Sequence, residues 1–118
     1  LEANLRAIRD RGVKVILVSP LKDDVPEDVG AEWWPIRPNT DAALMLGLAG
    51  EIVLAGRHDA TFLARCTSGS DRFLAYLDGS ADGQRKDAAW AAGITGLNRD
   101  AIAALARRLI DTRSMLTV

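Results

Sequence analysis

The segment Trp33-Trp34-Pro35-Ile36-Arg37-Pro38-Asn39-Thr40-Asp41-Ala42-Ala43-Leu44 limits what this chain can fold into more than any other. It closes an extended apolar stretch, turns between two prolines and opens an apolar helix. Pro38 biases Arg37 toward extended geometry. Asn39 or Thr40 can cap the helix, and Asp41 falls in its first turn, where the dipole stabilises an anion by roughly 0.3–1 kcal/mol. A strand therefore runs directly into a helix through a short polar turn, which is the connection of a layered α/β unit.

The flanking pattern extends this reading. Residues 1–11 read as a helix, with Leu1, Leu5 and Ile8 on one face and Glu2 four residues before Arg6. Gly12 is a natural residue to end it. Val13 to Val18 is an apolar run broken only by Lys14, the pattern of a strand covered on both faces. Ser19-Pro20 stops the run, and a polar loop follows to Gly30. Residues 31–36 form a second strand, whose neighbours Trp33 and Trp34 point to opposite faces. One of them packs in the core, and the other reaches a boundary.

Asp41 to Ala55 is apolar nearly all round, as in a helix that is buried or covered by something else. Gly47 and Gly50 weaken it intrinsically, yet they permit close approach to a neighbouring element. Short helices follow at 58–65, 70–77 and 86–92, with Ser70 the expected cap of the second. Asn98 caps a longer helix over 99–110, and residues 114–118 read as a final strand. This order predicts an α/β fold, a Rossmann-like three-layer unit with a short parallel sheet and several helices. A ligand crevice in such a unit lies outside the carboxyl ends of the strands. Ser19-Pro20 and Pro38 to Asp41 are the segments expected there.

At 118 residues the chain is one domain by length. The formal net charge is -1, with both signs interspersed, which argues against a nucleic-acid groove or an anionic membrane as main partner. No apolar run is long enough to span a bilayer, and no signal peptide is visible. The single cysteine, Cys66, makes no internal disulfide and is expected half-buried. Both ends read as cut from something larger.

Little of this chemistry is catalytic. The lone His58 has no partner pattern for catalysis or metal binding, and a surface or capping role suits it better. The acidic cluster Asp23, Asp24, Glu27 and Asp28 lacks ligand spacing and reads as a solvated loop. The chain has no P-loop, GxGxxG, HExxH or CxxC. The polar turn is different. A guanine base offers two adjacent N–H groups, and the Asp41 carboxylate matches them bidentately. Ser19, at the first strand's end, can meet ribose hydroxyls or a phosphate. The plain alternative is a capped helix and nothing more.

Three stretches carry a resemblance to a known family: Gly12 to Pro20; Trp34 to Asp41 with Ala42-Ala43-Leu44-Met45-Leu46; and Lys86-Asp87-Ala88-Ala89-Trp90-Ala91 with Ile94, Gly96 and Met115-Leu116. The chain resembles the molybdopterin oxidoreductases of the dimethyl sulfoxide reductase family, in the branch holding trimethylamine N-oxide and biotin sulfoxide reductases. The resemblance implies one excised domain over residues 1–118, helping to hold one guanosine of a molybdenum bis(molybdopterin guanine dinucleotide). Val18, Ser19, Pro20, Pro38, Asn39, Thr40 and Asp41 are the implied cofactor contacts, with Asp41 facing the base. The family often has an acid or amide where this chain has Ser19, His at Gly50 and an aromatic at Cys66.

The resemblance further implies a molybdenum ligand outside this chain. No catalytic and no metal-binding residue is then expected here, nor any cofactor bound to the fragment alone. The parent enzyme would reduce a small S- or N-oxide by oxygen-atom transfer, with two electrons from a donor protein and two protons. Its implied partners are the parent's remaining domains, that oxide and the electron donor, without nucleic acid or direct membrane insertion. Relatives occur in periplasm and cytoplasm, which leaves the compartment open. A free-standing nucleotide-binding module without catalytic activity is the competing reading.

Overall fold

The computed structural model describes residues 2–117. Helix α1, Glu2–Asp10, ends where Gly12 takes a positive φ of 77°. Strand β1, Ile16–Val18, pairs in parallel with β2, Glu32–Trp34, in the register Ile16 to Glu32 and Val18 to Trp34. The crossover between them carries two single-turn 3₁₀ segments, Lys22–Asp24 and Glu27–Val29. Five helices follow: α2 Asp41–Leu54, α3 Ala60–Cys66, α4 Ser70–Asp78, α5 Ala88–Thr95 and α6 Arg99–Asp111. The result is a mixed α/β fold with a two-stranded parallel sheet and several helices.

One core unites the strands and the later helices. Trp34 and Ile36 bury with Leu44 and Leu48 of α2, Ala88 and Ala91 of α5, and Ile102, Leu105 and Ala106 of α6. Ile16 and Val18 of β1 pack against this cluster. Trp34 is 7% exposed and Trp33 is 38% exposed, so alternate strand positions divide the tryptophans between core and boundary as their spacing predicts. The glycines of α2 serve an approach to α5. A Cβ at Gly47 would lie 2.5 Å from the Ala91 Cβ, and one at Gly50 would overlap the Lys86 carbonyl.

Asn98 caps α6 as the sequence predicts, while Asp87, expected inside a helix over 86–92, instead caps α5, and Asp59 caps α3. Asp59 accepts from the Phe62 N–H, Asp87 from Trp90, and Asn98 from Asp100 and Ala101. Ser70 is a correction: Gly69 occupies the cap position of α4 with φ 79°, Ser70 is already helical, and no side chain caps the turn. The final strand is a second correction. Residues 114–117 form no strand, with Met115 85% and Leu116 60% exposed, and Val118 lies outside the described residues, as does Leu1. A strand needs a neighbour for its backbone groups, and β1 pairs only with β2 among the described residues. For the same reason β1 is shorter than the run Val13 to Val18.

The molecule has more surface than a free-standing domain of its mass. Its accessible area is 8007 Å², against about 6,200 Å² expected for a 12.7 kDa monomer. Its radius of gyration is 15.5 Å, against about 13.5 Å for a compact domain of this length. Large apolar side chains share this excess, among them Phe62 of α3 and Phe73 and Tyr76 of α4.

Candidate functional site

Parallel pairing brings the carboxyl ends of β1 and β2 to one edge of the sheet. The Ser19 N–H donates to the Trp34 carbonyl at 3.2 Å, extending the ladder past β1, and the Trp33 indole donates to the Ser19 carbonyl at 2.9 Å. Glu32 steadies the second strand from its other end. Its carboxylate accepts from the Trp34 indole at 2.9 Å and from Arg108 of α6 at 3.0 Å, and these two hold it below the usual carboxyl range.

Ser19 is buried and its hydroxyl is committed. It donates to Asp24 and accepts from the Leu21 N–H at 3.1 Å. Val18 is half-buried beneath it and Pro20 is exposed. A ligand at this strand end therefore meets Pro20, the exposed Asp24 and main chain before it meets the serine oxygen. The remaining acids of the loop are solvated, as their spacing suggests, and Asp28 is held by Arg6 at 2.6 Å, which lowers its carboxyl.

The turn after β2 is shaped by its own chemistry. Asn39 has φ 62°, a left-handed conformation that asparagine tolerates better than most residues. Thr40 stands at the cap position of α2 without capping it: its hydroxyl donates 2.6 Å back to the Arg37 carbonyl. The expected side-chain cap is therefore missing, because that hydroxyl closes the turn instead. Asp41, in the first turn of α2, is exposed, and its carboxylate makes no hydrogen bond or ion pair with the other described residues. Pro38 and Asn39 are exposed as well. The α2 terminus thus presents an uncommitted carboxylate beside main-chain N–H groups that no side chain satisfies.

Sequence reasoning missed Arg37. Its guanidinium donates to the carbonyls of Gly93 and Ile94, each at 3.2 Å, and its main-chain N–H donates to Thr95 at 2.9 Å. An arginine beside a proline turn, with a helix-ending glycine at Gly96, was the available signal. His58 is half-buried with Nδ1 unpartnered, while the neighbouring Asp59 does the capping. Cys66 is exposed, against the half-buried expectation.

Two clefts of about 350 Å³ lie elsewhere. One is bordered by Glu51, Asp87, Arg99 and Arg107, the other by Leu17, Lys22 and Trp33. Neither includes Ser19 or residues 38–41, and Pro38, Asn39 and Asp41 are exposed. Among the described residues no group of His, Cys, Asp or Glu is arranged to hold a metal ion, and no helix is long and apolar enough to cross a membrane.

No family model matches the chain. Individual proteins do. It is 70% identical over its whole length to a biotin sulfoxide reductase of Cereibacter sphaeroides, covering 16% of that protein. It is 42% identical over 97% of its length to a dimethyl sulfoxide/trimethylamine N-oxide reductase of the same organism, covering 14% of it. A trimethylamine-N-oxide reductase of Haemophilus influenzae is 42% identical over 89% of the chain, covering 13% of that protein. Among solved structures, acetylene hydratase from Pelobacter acetylenicus superposes with TM-score 0.73 at 26% identity, over 90% of this chain and 14% of that one. The chain spans about a seventh of the length of such relatives, and it belongs to the family of dimethyl sulfoxide, trimethylamine N-oxide and biotin sulfoxide reductases.

Proposed function

We propose that residues 1–118 are one domain of a molybdenum-dependent S- or N-oxide reductase and grip a guanosine of its molybdopterin guanine dinucleotide. The observation that carries this is Asp41: an exposed carboxylate without a partner among the described residues, on the first turn of a helix whose cap side chain is turned away. A carboxylate in that state has both oxygens available for paired N–H donors, and guanine supplies such a pair. Pro38, Asn39 and Thr40 shape the approach. Val18, Ser19 and Pro20, at the end of the strand paired with β2, supply the other contacts of this reading, where the committed Ser19 hydroxyl makes main chain the better ribose contact. These residues fit the nucleotide half of the cofactor. When bound, the molybdenum centre supplies the oxygen acceptor, and its protein ligand comes from outside this chain.

The exposed turn supports a role inside a larger protein. It gives one wall of a nucleotide site, and the opposite wall comes from the remaining domains. A two-stranded sheet is marginal alone. Its free edges suit further strands of the same polypeptide, which would complete the three-layer Rossmann-like unit. The excess of surface over a free-standing domain favours this reading over a solitary module. Substrate choice, a small S- or N-oxide, and the electron donor belong to the rest of the enzyme. That a hydratase carries a similar unit agrees with a part that holds a nucleotide and leaves the reaction to others.

The test uses the full-length enzyme. Asp41→Asn should lower guanine nucleotide recovered per molybdenum, read after acid denaturation, while leaving the melting temperature within about 2 °C, since no internal bond is lost. Equal loss of nucleotide and stability would mean that Asp41 serves the helix alone. Unchanged nucleotide content would remove the reading altogether.

A further inference from the structure

The geometry points to Arg37 as the positioning residue of this site: it fastens the Pro38–Asp41 turn to the carboxyl end of α5 and so fixes where the Asp41 carboxylate stands. The inference rests on the nucleotide reading above and adds a residue that the polar turn itself does not contain.

The turn has few other anchors. Pro35 and Pro38 have no N–H to donate. Asn39 and Asp41 make no hydrogen bond to another element among the described residues, and Thr40 bonds only within the turn and its own helix. Among the described residues, every tertiary hydrogen bond between residues 37–41 and another element belongs to Arg37: one from its main chain to Thr95, two from its guanidinium to Gly93 and Ile94. The carbonyl of the same residue receives the Thr40 hydroxyl. One residue therefore joins the α5 terminus to the start of α2.

The far end of this tether is itself firm. Thr95 is fully buried, with its hydroxyl donating to the Ala91 carbonyl at 2.8 Å and accepting from the Leu97 N–H at 3.2 Å. Carbonyls at a helix C-terminus lack intrahelical partners and carry partial negative charge, so a guanidinium there gains both hydrogen bonds and dipole attraction. Gly96 leaves room for the arginine stem: a Cβ at that position would stand 3.0 Å from Arg37 Nε, on a backbone already at φ 77°. The contact is between exposed groups, so it contributes modestly to global stability. Its consequence is local, because freeing the turn lets Asp41 wander by more than the tenths of an ångström that a bidentate contact tolerates.

Three variants of the full-length protein test this. Hydrogen exchange follows residues 37–44, and ultrafiltration follows loss of guanine nucleotide from the purified enzyme. Arg37→Ala should speed exchange in that segment and raise the nucleotide dissociation rate about tenfold, with exchange in α6 unchanged. Arg37→Lys, whose ammonium can reach the same carbonyls, should restore most of both. Asp41→Asn should speed dissociation without altering local exchange. If Asp41→Asn weakens retention while Arg37→Ala leaves retention and local exchange as they were, the positioning role is refuted and the nucleotide reading stands. If Asp41→Asn has no effect on retention, the nucleotide reading fails, whatever Arg37→Ala does to exchange. Loss of nucleotide from Arg37→Ala that tracks a global rise in exchange, α6 included, would also overturn the inference, as would failure of Arg37→Lys to rescue.

Discussion

Replacing Gly47 by alanine tests the packing that supports the site. In an isolated helix the change gains about 1 kcal/mol. Here the new Cβ would stand 2.5 Å from the Ala91 Cβ, where methyl carbons settle at about 3.5–4.0 Å. The seam between α2 and α5 must open by about 1 Å, across a region where Leu44, Leu48, Ala88 and Ala91 are all buried. Overpacking of this kind costs about 1–3 kcal/mol. With the upper part of that range, Gly47→Ala loses about 2 kcal/mol net, roughly 8 °C in melting temperature for a chain of this size. Gly93 of α5 is the control: it is exposed, and nothing lies within 4 Å of its added Cβ. Gly93→Ala should therefore gain up to about 1 kcal/mol, roughly 4 °C upward. A third measurement makes the attribution specific. In an Ala91→Gly background the obstructing methyl is absent, so Gly47→Ala should become neutral or stabilising. Thermal unfolding followed by helical circular dichroism reads all of these. If Gly47→Ala raised the melting temperature as Gly93→Ala does, or if Ala91→Gly left its effect unchanged, the close approach of α2 to α5 would be refuted.

Four further outcomes follow from contacts elsewhere in the fold. Asn98→Ala should cost about 1 kcal/mol by urea unfolding, because two N–H groups of α6 lose their acceptor. Ser70→Ala should stay within about 0.5 kcal/mol, because no bond is lost, and a cost equal to that of Asn98→Ala would contradict this. Ile102→Ala, at a fully buried position, should cost about 2–5 kcal/mol in the same assay, and a loss below about 1 kcal/mol would show that α6 is not seated as described. The carboxyls of Asp28, Glu32, Asp78 and Asp82 are lowered by Arg6, by Trp34 with Arg108, by Ser80 and by Lys86. A lowered folded-state value means the unfolded chain takes up protons first. The stabilisation is present above the ordinary values of 3.8 and 4.5 and disappears as pH falls through the folded values. Stability that stayed flat on acidification from about pH 5 to pH 2 would contradict those pairings.

Features written in adjacent residues were legible in the sequence. Asn98 caps α6 because a short polar side chain before a helical run reaches its first N–H groups. Parallel pairing of the first two strands followed from their apolar runs and the crossover between them. Features decided by distant partners were not legible. Residues 114–117 have strand-forming composition and no strand to pair with among the described residues. Thr40 has cap chemistry, but its hydroxyl finds the Arg37 carbonyl first. Ser19 was expected to face a ligand and is engaged by Asp24, five residues on, because the 3₁₀ turn folds back over the strand end. Asp41 could be placed on the first turn of α2 from spacing, yet only the fold shows that no other described residue engages its carboxylate.

A crystal structure of the full-length enzyme with its dinucleotide tests the central claim most directly. The account predicts the Asp41 carboxylate in the plane of a guanine, with both oxygens about 2.7–3.1 Å from its adjacent ring and exocyclic nitrogens. A guanine bound elsewhere, with the first turn of α2 facing only water or another domain, would contradict it.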